Sequence, residues 1–443
     1  MKTVEPTPKL SHAKMQRAMR VSVVDGMFGT AGENFIGPFL ALFALALGAT
    51  KGQIGLLAAL PAFLSNALQI PAAQLADRWG ERQRLVVVTS AISRLTILPI
   101  ALVPILLNGD LAIYVFIALV TLRGLTNSIG VPAWTAIMAD ITPRHSRGSY
   151  FGYRNVMCNL AALVSTLVAG WFINRYGFPL GYKICFYIAL GFGLMATYFF
   201  STIPVPKAAP RRSSGRAFDL RAPWQLLMKP SAFRNYCFTS VLWNFAVTFS
   251  GSFYAVFYRE NLGGDPGFWG VVMAVGLGAG ILGHRYWGRL ADRYGQKNVM
   301  LLGGIGASAV PFMWLVLPRP ELAVLAEFGS GFAWSGYNLA AFNLILELTP
   351  DDERTTYIGV YNTLAGLATA VGPLMGGFFA DAYGLVPVII ISGVLRWIAY
   401  FVFMKKVPGQ RAKRFQWSDF LPFGQELRLG QKFQALDGTP EDD

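Results

Sequence analysis

Glu33 and Arg123 carry charge where a chain crossing hydrocarbon has little reason to carry any. Each lies 12 residues into an apolar run, roughly 18 Å deep at 1.5 Å of rise per residue. Both therefore fall near the midplane of a bilayer about 30 Å thick. An ionisable side chain at that depth costs at least about 2.5 kcal/mol and needs a partner or a watered cavity. A carboxylate beside an arginine can exchange a proton, because desolvation and a neighbouring cation act on its protonation in opposite directions. We read Glu33 as the proton carrier and Arg123 as the cation that tunes it or holds an anionic group. The competing reading is a permanent structural ion pair.

Asp25, Gly29 and Glu33 share one helix face at spacings of four residues. Asp25 is about 6 Å from the helix edge, and Arg154 has a similar depth in its own run. The two form a candidate gate pair, against the plainer reading that both snorkel to the interface. Asp25 joins Glu33 and Arg123 as a proton-coupling candidate. Substrate contact is assigned to Glu33, Arg123 and Glu327, the last near an outer helix end. It is also assigned to the polar and aromatic residues Asn34, Trp243 and Asn244 in two spans and Trp334, Asn338 and Asn343 in a third. Aromatic walls with a few fixed polar groups suit an amphipathic or aromatic small molecule. Arg94 and Arg396 also lie inside apolar runs and receive no role.

These residues need long helices to hold them. The 443-residue chain is 54% hydrophobic and only 14% charged, against roughly 25% charged in soluble domains. Its mean hydropathy is +0.44. Twelve apolar runs are expected near 21–47, 53–75, 85–107, 111–138, 150–173, 183–204, 233–258, 266–288, 298–317, 322–346, 356–380 and 385–404. No short cleavable leader precedes the first, which is read as retained. An even number of spans puts both termini on one side, and the segments on that side hold 28 lysines and arginines. The opposite loops hold five, Lys51, Arg175, Lys183, Arg259 and Arg319. The positive-inside rule then predicts cytoplasmic termini and a multi-pass protein of the cell inner membrane. It also accounts for the net charge of +14 without nucleic acid, the basic loops meeting anionic lipid of the bilayer instead.

Three cysteines and three histidines are scattered, so no metal site, disulfide framework or catalytic cluster is expected. No phosphate-binding loop occurs. We expect no enzyme, no cofactor beyond a proton as coupling ion, and a monomer whose partners are a small-molecule substrate and the bilayer. An integral membrane enzyme or a non-transporting sensor is the distant alternative.

The chain is duplicated. Gln74–Arg84, QLADRWGERQR, recurs as RLADRYGQK from Arg289, so Asp77, Arg78 and Gly80 return as Asp292, Arg293 and Gly295 with an offset of 215. At an offset of 207, Thr142, Pro143, Arg147, Tyr150, Gly152, Asn155, Gly170, Tyr176 and Gly177 return as Thr349, Pro350, Arg354, Tyr357, Gly359, Asn362, Gly377, Tyr383 and Gly384. The expected layout is an arm at 1–20, a six-span bundle at 21–203, a Pro-, Ser- and Arg-rich linker at 204–232, a second bundle at 233–404 and a tail at 405–443. Six spans per half make the repeats parallel. Their charged loops lie on the cytoplasmic face, away from the cavity. Asp77, Arg78, Gly80, Arg82, Asp140, Arg147 and Arg154, with Asp292, Arg293, Gly295, Glu347 and Arg354 in the second half, are therefore read as gating residues.

A loop with glycine, three residues, Asp-Arg, any residue, Gly and basic residues resembles the signature of the major facilitator superfamily (MFS). The second copy fits with Gly288, Asp292, Arg293, Gly295 and Lys297. The first keeps Asp77, Arg78, Gly80 and Arg82 but has Ala73 and Glu81 at two signature positions. The resemblance covers about Val21 to Lys406. It implies an all-α membrane fold of twelve helices in two pseudo-symmetric bundles, and secondary transport by alternating access. Two acids in span one with an arginine in span four resemble proton-coupled multidrug exporters of that superfamily, implying antiport of a drug-like compound. The exporters' Gly-Pro and Gly-Gly pairs, however, are matched in span eleven (Gly372, Pro373, Gly376, Gly377), where span five has Ser165, Thr166, Ala169 and Gly170. Proton-coupled uptake of a sugar or organic acid is the second reading.

Overall fold

The computed structural model describes residues 11–79, 81–143, 146–205, 227–228, 231–350 and 354–408, without the side chains of 12, 69–71, 73–79 and 354–356. Most of the expected linker and tail thus lies outside the described residues. The described helices fall into twelve successive runs. In the first half these are α1 (His12–Ile36, continued by Leu40–Ala46), α2 (Lys51–Trp79), α3 (Arg82–Leu95, continued by Ile97–Leu106), α4 (Gly109–Ile141), α5 (Arg147–Tyr176) and α6 (Leu180–Ser201). In the second they are α7 (Ala232–Gly251, continued by Tyr254–Glu260), α8 (Trp269–Tyr294), α9 (Gln296–Leu315), α10 (Ala323–Glu347), α11 (Arg354–Tyr383) and α12 (Leu385–Lys406).

Among the described residues nine runs are long and apolar enough to cross a membrane. Of the other three, α8 and α10 are as long but less apolar, and α2 carries the uncharged apolar stretch 53–70. They pack chiefly on protein, α2 along α4 and α11, α8 along α10 and α5. A helix covered by other helices can carry small and polar residues that lipid would reject. α1 begins at His12, inside the expected arm and well before the apolar run. No proline or glycine stands between residues 12 and 25 to stop it.

Two helices break where the central charges sit. Pro38 has no N–H for the carbonyl of Asn34, and Gly37–Phe39 tightens to a 3-10 turn just after Glu33. In α3, Pro99 likewise releases Leu95, and the helix is interrupted at Thr96, two residues past Arg94. The Trp269 indole of α8 donates to the Pro38 carbonyl at 2.9 Å, tying the α1 break to the other half.

Call the end carrying the start of α1 and the end of α12 the near end. At the far end one hydrophobic core spans both halves, with Phe35 and Phe43 of α1 joined to Phe249, Phe253, Trp269 and Trp314. Toward the near end the core divides, one cluster around Ala18, Leu85, Ile137 and Phe200 and another around Tyr236, Trp287 and Leu344. The halves are therefore fused at the far end and separate toward the near end.

Two glycine crossings make the fusion. On α2, Gly55 meets the Pro373 carbonyl and Gly377 of α11; on α8, Gly270 meets the Thr166 carbonyl and Gly170 of α5. Without side chains the backbones touch, as in other close membrane crossings. The two crossings are copies of each other: Gly52 and Gly55 recur as Gly267 and Gly270 at the 215 offset, and Gly170 recurs as Gly377 at the 207 offset.

Candidate functional site

Glu33 is the centre of the site. Its carboxylate bridges two guanidinium groups, Arg94 Nη1 donating to Oε1 and Arg123 Nη2 donating to Oε2, the second at 2.6 Å. The two arginine side chains are 11% exposed and Glu33 is 43% exposed, so the cations are fixed in the wall and the carboxylate looks into open space. That space is a cavity of about 330 Å³ lined by α1, α3, α4, α5 and α6, with Thr30, Ser90, Asn127 and Thr197 as neutral polar groups and Trp134 and Phe200 as aromatic walls. Glu33 stands in the last turn before the α1 break, where the helix end carries partial negative charge and favours cations. The two arginines offset that field.

Sequence reading paired Glu33 with Arg123 and left Arg94 unassigned; the fold brings both to one carboxylate. Arg94 lies nine residues into α3's apolar run, about 14 Å deep, close to the depth of Glu33. Depth was the available signal. What it lacked was a path for the side chain, supplied by Gly193 of α6: a Cβ there would strike Arg94 Cδ and Nε.

Nearer the open end, Arg154 Nη2 is 3.9 Å from Asp25 Oδ2, and its Nε donates to the Ser22 carbonyl at 3.2 Å. The guanidinium lies over the Trp134 ring, 5.2 Å from its centroid, and Gly26 leaves the room it occupies. The proposed partners are thus together and mostly buried, at 12% and 13% exposure, and neither snorkels to an interface. The cavity region holds three guanidinium groups, Arg94, Arg123 and Arg154, against two carboxylates, Asp25 and Glu33.

Other candidates sit elsewhere. Asn34 and Asn244 each donate to a carbonyl one turn back in their own helices. Trp243 is buried in the second half's core, stacked on Tyr337 with centroids 4.7 Å apart and edge-on to Trp334, away from the described cavity. Asn343 donates to Gln296 at the start of α9, linking helices; Asn338 is exposed. Glu327 of α10 faces Gly276 of α8 and has no hydrogen bond or ion pair among the described residues.

Arg396 of α12 is a structural cation. It is 2% exposed and donates to the Ala307 carbonyl at 2.9 Å, and to the Val247 carbonyl, Ser250 Oγ and Tyr254 OH at 3.4 Å each. It thereby ties α9 and α12 to the break in α7. Arg396→Ala leaves the Ala307 carbonyl, which Pro311 cannot serve, buried and unpaired beside a new void, and is expected to cost about 3 kcal/mol, read as a lower unfolding temperature in detergent.

Of the gating candidates, Arg82 meets Asp140 at 3.5 Å and Arg147 donates to the Ala139 carbonyl at 2.8 Å, both within the first half. Arg293 lies over the Tyr294 ring at 5.4 Å, while Asp292 and Glu347 are exposed. Gly295, at φ 82°, makes the α8–α9 corner, a conformation other residues adopt only with strain. Gly80 and the side chains of Asp77, Arg78 and Arg354 lie outside the described residues.

A polar contact between the two halves lies at the far end, among residues that the sequence reading did not single out. Asp381, at the end of α11, accepts from the backbone N–H groups of Lys51 and Gly52 at 2.8 and 2.7 Å, capping α2 of the other half. Lys51 Nζ meets Glu260 at 3.1 Å. A carboxylate on a helix N-terminus is worth about 1 kcal/mol. Asp381→Ala is expected to shift the population toward a far-end-open form several-fold, measured as spin-label distances across that end.

The Major Facilitator Superfamily model matches residues 26–338 and again 251–433. An uncharacterized MFS-type transporter of Methanocaldococcus jannaschii, MJ1560, is 22% identical over 361 residues, covering 80% of this chain and 89% of its own. The multidrug resistance protein MdtG of Dickeya zeae is 33% identical over 133 residues, 30% of this chain and 32% of its own. Among solved structures, a bacterial homologue of the human lysosomal transporter Spinster, inward-facing and unoccupied, superposes with a TM-score of 0.67 at 14% identity, covering 90% of this chain and 99% of that one.

Proposed function

The chain belongs to the Major Facilitator Superfamily and is a multi-pass membrane protein, and from that premise we propose that it is a proton-coupled secondary transporter moving a small molecule by alternating access. The observation that carries this is Glu33, an exposed carboxylate held by two walled-in arginines in a cavity at mid-membrane depth. As a single chain it rocks two bundles about the fused far end. The basic loops put the near end in the cytoplasm, so the cavity faces inward in this state, with the cell inner membrane as its location.

Closing the near end requires the duplicated loops at Asp77 and Asp292 to meet the opposite half, and opening the far end requires release of Asp381 and Lys51. Glu33 takes up and gives back a proton as its surroundings alternate. The resemblance to multidrug resistance proteins favours export of an amphipathic or aromatic compound in exchange for protons. The excess of guanidinium groups around the cavity favours the second reading, uptake of an organic acid together with protons. The two differ in whether cargo and proton occupy the site in turn or together.

The test is reconstitution into liposomes holding a pH-sensitive dye, challenged with a panel of drugs, sugars and organic acids. A compound that moves across the membrane should move protons with it. Transport of a cargo with no proton movement, and with a rate independent of the pH gradient, would refute the coupling.

A further inference from the structure

We propose that Arg94 and Arg123 are the receptor for an oxyanion on the cargo, a carboxylate or a phosphate, and that Glu33 occupies this receptor in the present state. The inference rests on the coupling role of Glu33 and adds the charge of the cargo and the order of loading.

A guanidinium offers five N–H donors in a planar fork suited to oxyanions. Each of these two directs one terminal nitrogen to Glu33 and has no other hydrogen-bond partner among the described residues, and both Nε atoms are buried without one. The pair is under-used by the carboxylate it holds. It is also fixed, because Arg94 fills the groove left by Gly193, whereas Glu33 is the accessible member. A carboxylate or phosphate of the cargo can take the place of a side chain with the same oxyanion chemistry.

Displacement needs Glu33 to lose its charge. While ionised, it neutralises one of the two arginines and repels a second anion. Once a proton from solution binds its carboxylate, the two guanidinium groups that held it at the cavity wall are left without a counter-charge. The charged groups around it are Asp25 on α1, Arg94 on α3, Arg123 on α4 and Arg154 on α5; from α6 the cavity receives Ala196, Thr197 and Phe200, none charged. Asp25 is matched by Arg154, so no other carboxylate neutralises the pair. A monoanionic cargo and one proton therefore load together and add no net charge. By linkage, each raises the affinity for the other. A cationic cargo would meet a shielded carboxylate and a net positive wall.

The experiment is calorimetric titration of the full-length protein in detergent with three aromatic probes that keep their charge between about pH 6 and about pH 8: benzoate, methyl phenyl phosphate and benzylamine. One of the two oxyanions should bind about tenfold more tightly at about pH 6 than at about pH 8; which one binds better identifies the oxyanion. Glu33→Gln should bind it with the same affinity at both, and Arg94→Gln and Arg123→Gln should each weaken it about tenfold or more. If Glu33→Gln does not fold, wild type in weak buffer should take up about one proton per anion bound; no uptake overturns the proposal. Preference for benzylamine, affinity unchanged by both arginine substitutions, or binding of neither oxyanion by wild type and Glu33→Gln also overturns it. Those results leave proton coupling standing. A Glu33→Gln protein still driven by a pH gradient overturns the coupling instead.

Discussion

Glu33→Gln should reduce pH-gradient-driven transport to the level of empty liposomes while leaving cargo exchange between the two sides intact. Glutamine keeps the size of the side chain and can accept from one arginine, but it neither binds a transferable proton nor carries charge. The two charge-assisted bonds it weakens are worth roughly 1.5–3 kcal/mol each. Their loss is cushioned because Glu33 faces an open cavity at 43% exposure, where water and solution anions reach the arginines. Folding should therefore survive. The decisive measurement compares gradient-driven uptake with counterflow at equal pH in the same liposomes. A variant with wild-type rate and pH profile would show that the Glu33 cluster is structural.

The second large effect is steric and lies at the far end. Gly170→Val or Gly377→Val should block far-end closure and lower transport by at least about tenfold. A Cβ at position 170 would press on the Gly267 carbonyl and stand 3.2 Å from Gly270 Cα; one at 377 would stand 2.6 Å from the Lys51 carbonyl and 3.0 Å from Gly52 Cα. The obstacles are backbone atoms, which cannot rotate away. Overpacking of this kind costs about 1–3 kcal/mol, enough to move a balanced two-state equilibrium by about tenfold or more. Distances across the far end should lengthen, trapping the far-end-open form. Gly152→Ala and Gly359→Ala supply the control. They lie on the same two helices, recur at the same offset of 207, and have nothing within 4 Å of an added Cβ; both should transport normally.

The span-eleven motif gains a physical role from the same contacts. A Cβ at Gly372 or Gly376 would strike α7, at Thr248 Oγ1 and at the Phe249 carbonyl, while Gly377 faces α2. One run of glycines thus packs α11 between the other helices of its own bundle and the opposite half. Chain composition shows that these positions are small. It does not show against what.

The sequence by itself determined the helical architecture, the duplication and the depth of the central charges. Each of these follows from periodicity and counting along one chain, because hydrocarbon thickness fixes helix length and the cost of burying charge confines ionisable residues to sites with a use. Glu33, Arg123 and the Asp25–Arg154 pair were legible on that ground. Only the tertiary structure decided that Arg94 shares Glu33, that Trp243 packs inward on Tyr337, that Arg396 holds the α7 break, and that Asp381 caps the opposite half. For Arg94, Arg396 and Asp381 the deciding partner is a backbone carbonyl, a backbone N–H or a missing Cβ on another helix. Backbone groups are the same at every position of the chain, so sequence carries no sign of which one a side chain will meet.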